Sequence, residues 1–242
     1  MTIDREKREN VVLEAIVKAH VNSAVPVGSK TIARILGLSS ATIRNVMFQL
    51  EKKEYIRQPY TSAGRVPTDL GYRRYVNNME SIDDLPGGAL IARIRRYLRE
   101  KRLFEEVIEA TSHAISEITN YTGIALSPTN KLYFDGAYHM LEQPEFRELD
   151  MVRDFMKIVE ERSDLARIMN KDLEIRGTVI RIGRENLFDG LRECTIITSV
   201  YKFKNRVSGN IGVIGPMRME YDKIVPIVEY FASMTTEILE EI

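Results

Sequence analysis

The chain has 242 residues, 44% of them hydrophobic and 29% charged, with a formal net charge of zero. This composition fits a folded protein with a real core and excludes disorder as the main state. No apolar run of ~18 residues offers a membrane span, the charged start MTIDREKREN lacks the apolar stretch of a secretory signal, and a single cysteine, Cys194, excludes an internal disulfide or a Cys-rich zinc site.

Three helices are predicted in the first sixty residues. Residues 5–21 carry Val12, Leu13, Ile16, Val17 and Ala19 at helical spacing. Asp4 is the expected N-cap, and the helix must stop before Pro26. A second helix is predicted from Ser29, as cap, to Leu36, with Ile32, Ala33 and Leu36 inward and Gly37 as its stop. After only Gly37 and Leu38, Ser39 caps a third helix reaching about Lys53, with Ile43, Val46, Met47 and Leu50 as its apolar stripe. Two helices joined by so tight a turn form a helix-turn-helix.

Ser40, Thr42, Arg44, Asn45 and Gln49 lie off that stripe. Such groups can bond base edges in a major groove, arginine to guanine and amides to adenine, and the N-terminal half of a recognition helix makes most base contacts. The alternative is a solvated helix face. Charge favours the first reading. Residues 1–80 hold 13 Lys/Arg against 8 Asp/Glu, net +5, whereas residues 81–242 hold 22 against 27, net −5. A polyanion such as double-stranded DNA would be drawn to one end only.

A β-hairpin wing is expected next. Tyr55–Gln58 is β-prone, and Pro59–Pro67 is a turn-rich loop with Gly64 and Arg65 near its tip. Arg65 would supply charge to the DNA backbone, while Ser62, Ala63 and Gly64 permit close approach; the alternative is a surface loop with one stray arginine. The candidate DNA-binding set is therefore Ser39, Ser40, Thr42, Arg44, Asn45 and Gln49 on the helix, and Arg57, Tyr60, Ser62, Gly64 and Arg65 on the wing.

Ser81–Gly88 (SIDDLPGG) reads as a linker. A long helix over 89–120 follows, with Ile94, Leu98, Phe104, Ile108, Thr111, Ile115 and Ile118 as a seam for its own domain or for a second copy. Another helix is predicted over 144–169, with Pro144 in its first turn. Strands are predicted at 173–182 and 193–203, then a turn at Lys204-Asn205-Arg206, a Gly-spaced strand over Val207–Gly215, and a helix from 221 to 240. The result is a small antiparallel sheet backed by helices.

Three stretches resemble the HrcA family of heat-inducible transcription repressors. They are SAGRVPTDLGYRRYV (Ser62–Val76), LYFDGAYHMLEQPEF (Leu132–Phe146), and VIRIGRENLFDGLRECTIITSVYKF (Val179–Phe203) followed by GNIGVIGPMRMEYDKIVPIVEYFA (Gly209–Ala232). The resemblance implies an α+β fold: an N-terminal winged helix-turn-helix, then a GAF-like α/β domain into which a dimerising domain is inserted. It implies a cytoplasmic repressor of chaperone operons. Such a repressor binds an inverted-repeat operator of the CIRCE type as a homodimer, with its activity supported by the GroEL chaperonin. The sequence departs from the family at one place. Between Thr122–Pro128 and Leu132–Phe134 stand only Thr129, Asn130 and Lys131, where the family carries GAF-like strands and the inserted domain. The expected domains are thus a winged helix over 1–78, a linker and long helix over 79–122, and a reduced GAF-like regulatory and dimerisation domain over 123–242.

Enzyme chemistry is not expected. Gly209, Gly212 and Gly215 are three apart and miss GxGxxG. Cys194 lies inside a strand and reads as a small core residue. Glu185 and Asp189 read as solvated surface, and His20, His113 and His139 lack metal-ligand spacing. No catalytic residue, metal or cofactor is expected. The alternative to a DNA-reading repressor is a winged-helix regulator whose GAF-like domain senses a small molecule.

Overall fold

Capping chemistry sets the helix boundaries at the start of the chain. The structure, a computed structural model, describes residues 2–79, 88–175 and 177–242. The chain folds as two compact units, one of Met1–Glu80 with Met217–Glu220 and another of Ser81–Pro216 with Tyr221–Ile242. The predicted linker lies outside the described residues except for Gly88.

In the first unit, α1 spans Thr2–Ser23, α2 Ser29–Leu36 and α3 Ser40–Lys52. Two cap predictions need correction. Helix α1 begins at Thr2, so Asp4 lies inside it. Gly28, in extended conformation, holds the N-cap position of α2 and Ser29 is its first helical residue; the Ser29 hydroxyl instead lies 3.2 Å from that of Ser40. The other signals act as read. Gly37 ends α2 at φ +66°, a left-handed conformation that glycine adopts without steric cost. Ser39 accepts the Thr42 amide at 3.0 Å and caps α3.

Strand β1 (Ile56–Arg57) pairs antiparallel with β2 (Val66–Pro67), and α4 (Asp69–Asn78) follows, capped by Thr68. The core joins Val12, Leu13, Ile16 and Val17 of α1 to Ile32, Ile43, Met47, Leu50, Ile56 and Tyr72, all buried. Full burial of each such aliphatic chain is worth roughly 1.5–3 kcal/mol, enough to fix α2 and α3 against α1. This is a winged helix-turn-helix.

The second unit opens with α5 (Gly88–Arg99) and α6 (Phe104–Thr119). The seam predicted over 89–120 is present, but the helix is broken. Leu103 is extended, and the Glu106 carboxylate accepts the Arg102 and Leu103 amides at 3.3 and 3.4 Å, capping α6 from within. Next come β3 (Thr122–Leu126), β4 (Leu132–Asp135) and α7 (Tyr138–Leu141). The helix predicted over 144–169 is also divided, into a 3-10 turn at Pro144–Arg147, α8 (Leu149–Glu160) and α9 (Arg162–Asp172). Helix α9 continues to Asp172, so the strand predicted from 173 begins only at Thr178. It is β5 (Thr178–Ile182), followed by β6 (Cys194–Phe203), β7 (Arg206–Pro216) and α10 (Tyr221–Glu240).

The sheet order is β4-β3-β7-β6-β5, antiparallel throughout. Counted within the unit this is 2-1-5-4-3, a GAF-like arrangement. Alternate residues serve two layers. Ile124, Leu126, Ile196 and Ile214 join Phe155, Ile158, Leu165 and Ile168 of α8 and α9, while α6 and α10 pack on β3, β6 and β7. The seam of α6 is thus used within its own unit. Lys204 and Asn205, at φ +51° and +60°, make the tight β6–β7 turn, the left-handed pair that suits a twisted hairpin.

Where the family resemblance implies a long insert, β3 and β4 join through a short turn closed by Ser127 N to Lys131 O at 3.0 Å. Asp172, 1% exposed, ties α9 to the sheet: it pairs with Arg181 and accepts the Thr198 hydroxyl at 2.9 Å. Among the described residues no helix is long and apolar enough to cross a membrane.

Candidate nucleic-acid interface

The amphipathic period of α3 gives it two different faces. Ile43, Met47 and Leu50 are buried, and Ala41, Arg44, Asn45, Phe48 and Lys52 are exposed. Of the six residues predicted on or beside this helix, Arg44 and Asn45 are exposed with no hydrogen bond or ion pair to another described residue. The other four are engaged inside the unit. Ser39 caps the helix and its hydroxyl lies 2.8 Å from that of Thr42. Ser40 meets Ser29, and Gln49 accepts a hydrogen bond from the Arg5 guanidinium at 2.7 Å. These contacts start the helix and orient it, which leaves Arg44 and Asn45 as the groups free to donate outward.

The wing departs from its sequence reading at one end. Its turn is formed by Tyr60–Ala63, with the Ala63 amide donating to Tyr60 O at 3.0 Å. Gln58 braces it by donating to Ala63 O at 3.1 Å. Arg57, Tyr60 and Ser62 are exposed, Tyr60 by 67% and Ser62 at φ +67°. Gly64 and Arg65 are not at the tip but at the base. Val27 and Arg65 exchange backbone hydrogen bonds of 2.8 and 2.9 Å, so the chain before α2 adds a third strand segment to the wing. A Cβ at Gly64 would lie 2.5 Å from Val27 backbone atoms. The smallness of Gly64 therefore serves an internal approach. The Arg65 guanidinium, only a quarter exposed, pairs with Glu51 of α3 at 2.9 Å. Arg65 thus locks the wing to α3.

Other carboxylates neutralise cations in the same way. Buried Glu9 takes Lys53 at 2.6 Å and Arg5 at 3.4 Å, and Glu6 takes Arg74 at 3.2 Å. Lys30 and Arg34 of α2, Arg44 of α3 and Arg57 of the wing are exposed and have no carboxylate partner among the described residues. Part of the surplus positive charge is therefore carried by the helix-turn-helix and the wing, where a polyanion would meet it. The sequence reading missed Glu51, Lys30, Arg34 and Phe48. A tertiary pairing hides Glu51 from sequence, but Phe48 could have been found from its place four residues after Arg44.

In the second unit Cys194 is buried and burial pushes its thiol up to about 12, which makes it a poor nucleophile. Asp189 pairs with Arg192 at the surface, and Glu185 accepts the Ile182 amide. An open hollow of about 800 Å³ is lined by Ser127, Asn130, Asn170, Leu173, Phe203 and Arg206.

The chain thus combines a winged helix-turn-helix with a GAF-like unit. Comparison with known proteins shows what it is similar to. The family model for the HrcA protein C-terminal domain matches residues 128–225. The heat-inducible transcription repressor HrcA of Brevibacillus brevis is 28% identical over an alignment of 334 positions, covering 96% of this chain and 97% of that one. The HrcA of Pelotomaculum thermopropionicum is 28% identical, covering 98% and 97%. A crystal structure of a hypothetical protein superposes with a TM-score of 0.75 at 18% identity, covering 97% of this chain and 98% of that one, and shares the fold. The chain is similar to these heat-inducible transcription repressors over nearly its whole length and is shorter than the Brevibacillus relative: 334 aligned positions leave at least 92 to which a chain of 242 residues contributes nothing.

Proposed function

We propose that this protein is a transcription repressor of heat-shock genes that acts in the cytoplasm by reading an inverted-repeat operator of the CIRCE type. The observation that carries the reading is the pair Arg44 and Asn45. Both are exposed and uncommitted on a capped helix that the wing braces through Arg65 and Glu51. Arg44 donates to guanine and Asn45 exchanges hydrogen bonds with adenine. Arg57, Tyr60 and Ser62 of the wing, with Lys30 and Arg34 of α2, take the flanking phosphates.

One such module reads one half-site, so an inverted repeat requires two copies related by a two-fold axis. The repressor therefore works as a homodimer. The GroEL chaperonin, implied by the family resemblance, is its activating partner. Unbiased selection of random duplexes with the full chain tests the reading. A recovered palindrome bound by two copies in sedimentation is the expected result, and recovery of no common sequence overturns it. Added GroEL should raise the fraction of protein competent to bind that duplex.

The second reading gives the GAF-like unit a small-molecule effector, and the hollow beside Asn130 and Arg206 favours it. A metabolite that raises the melting temperature and shifts operator affinity would support it. A screen in which nothing stabilises the protein would count against it.

A further inference from the structure

Phe48 is the one large apolar side chain exposed on α3. It is 53% exposed, in the middle of the solvent stripe, between Arg44 and Asn45 on one side and Lys52 on the other. Residues three and four apart on a helix are surface neighbours, so Phe48 adjoins both Asn45 and Arg44. The core beneath is filled by Met47 and Leu50, and the ring faces outward, with the Lys52 ammonium 4.7 Å from its centroid. A face used only for solvation gains little from an exposed phenyl ring beyond this Lys52 contact, because the ring leaves apolar surface in water. A face used for reading DNA does gain. Thymine presents one apolar group in the major groove, its C5-methyl, and an apolar side chain at the groove floor is its natural partner.

We infer that Phe48 is a specificity-determining residue that packs its ring on a thymine C5-methyl in each half-site, beside the bases read by Arg44 and Asn45. The inference rests on the reading of α3 as a recognition helix. It adds an apolar contact to what would otherwise be a purely polar code. Because the ring is exposed and outside the core, its removal leaves the fold intact.

Deoxyuridine is thymidine without this methyl and pairs identically, so it isolates the contact. Each thymine of the selected half-site is replaced in turn by uracil, and the affinity of the full chain is measured. At one position, the replacement should weaken the unaltered protein roughly three- to fivefold per half-site, the worth of about one buried methyl group. Phe48→Ala should bind the thymine and uracil duplexes equally at that position while still rejecting changes at the bases read by Arg44 and Asn45. Phe48→Leu should retain part of the methyl effect. If no thymine shows the effect, or if the effect persists in Phe48→Ala, the inference is overturned while the repressor reading stands. If Phe48→Ala converts a dimer into a monomer with the methyl effect unchanged, the ring is a protein contact and the inference is again overturned. Failure of the chain to select any sequence removes both.

Discussion

Side chains of the same type do different work here, depending on what faces them. Arg57 and Arg65 both belong to the wing, yet Arg57 is exposed and Arg65 is held by Glu51. Arg57→Ala should weaken binding to all duplexes alike and lower the slope of log affinity against log salt by about 1. Arg65→Ala should leave that slope nearly unchanged and instead lower the melting temperature of the first unit. Titration of duplex binding over a range of salt concentrations separates the two; equal slope changes would contradict the assignment. Cys194 gives a pH-dependent expectation. Its folded value, about 12, lies above the unfolded thiol value of 9.0. The folded state therefore holds the proton longer. The stability tied to the neutral thiol is complete below pH 9 and falls as pH rises above it, by up to roughly 1.4 kcal/mol per pH unit. Cys194→Ala should flatten the alkaline limb of stability measured by denaturant between pH 9 and 11. At this scale the Ser39 cap was legible, because it acts on an amide three residues away, whereas Asp4 and Ser29 carry the right side chain without holding the cap position. The partner of Arg65 was not, because Glu51 meets it only after the wing folds back on α3.

Elements show the same division between local and distant causes. The bounds of α2 and α3 followed from Gly37 and Ser39, which act within one turn. The stretches 89–120 and 144–169 were read as single helices because their apolar period continues through the breaks at 100–103, 148 and 161. Periodicity reports which face is buried, not where hydrogen bonding stops. The break before α6 depends on the Glu106 carboxylate reaching back to two amides, a capping geometry that a stretch rich in charge conceals. The wing is the element most exposed to this blindness. Its base includes Val27, nearly forty residues before Arg65, and no local pattern announces that pairing. Gly64→Ala should therefore do more damage than a loop substitution ordinarily does. A Cβ 2.5 Å from the Val27 backbone forces the wing away from the segment before α2, at a cost of roughly 1–3 kcal/mol. Thermal unfolding should show a clear drop and duplex binding should weaken with it. A variant of unchanged stability and affinity would mean that the wing moves without consequence.

At the scale of the molecule, the division of charge and the division of fold coincide. The basic first eighty residues, joined by 217–220, make the winged-helix unit, and the rest makes an acidic unit around the sheet. The charge division and the helix-turn-helix were legible from composition and from short-range signals. The strand order β4-β3-β7-β6-β5 was not, because adjacent β3 and β7 are separated by some eighty residues of sequence and pair only through the sheet. Family resemblance supplied the GAF-like class in advance, together with the expectation of an insert, and the structure replaces the insert with the turn at Ser127–Lys131. At that turn β3 and β4 join directly within the five-stranded sheet. The proposed reading of DNA accordingly depends on the outward face of α3. Its most direct test is the affinity of the full chain for its selected palindrome against a scrambled duplex of equal composition, at one physiological salt concentration, with and without Arg44→Ala. The expected result is at least about a thousandfold preference for the palindrome and a loss of about 1–3 kcal/mol of that preference in the variant. Equal binding of the unaltered protein to both duplexes would contradict it.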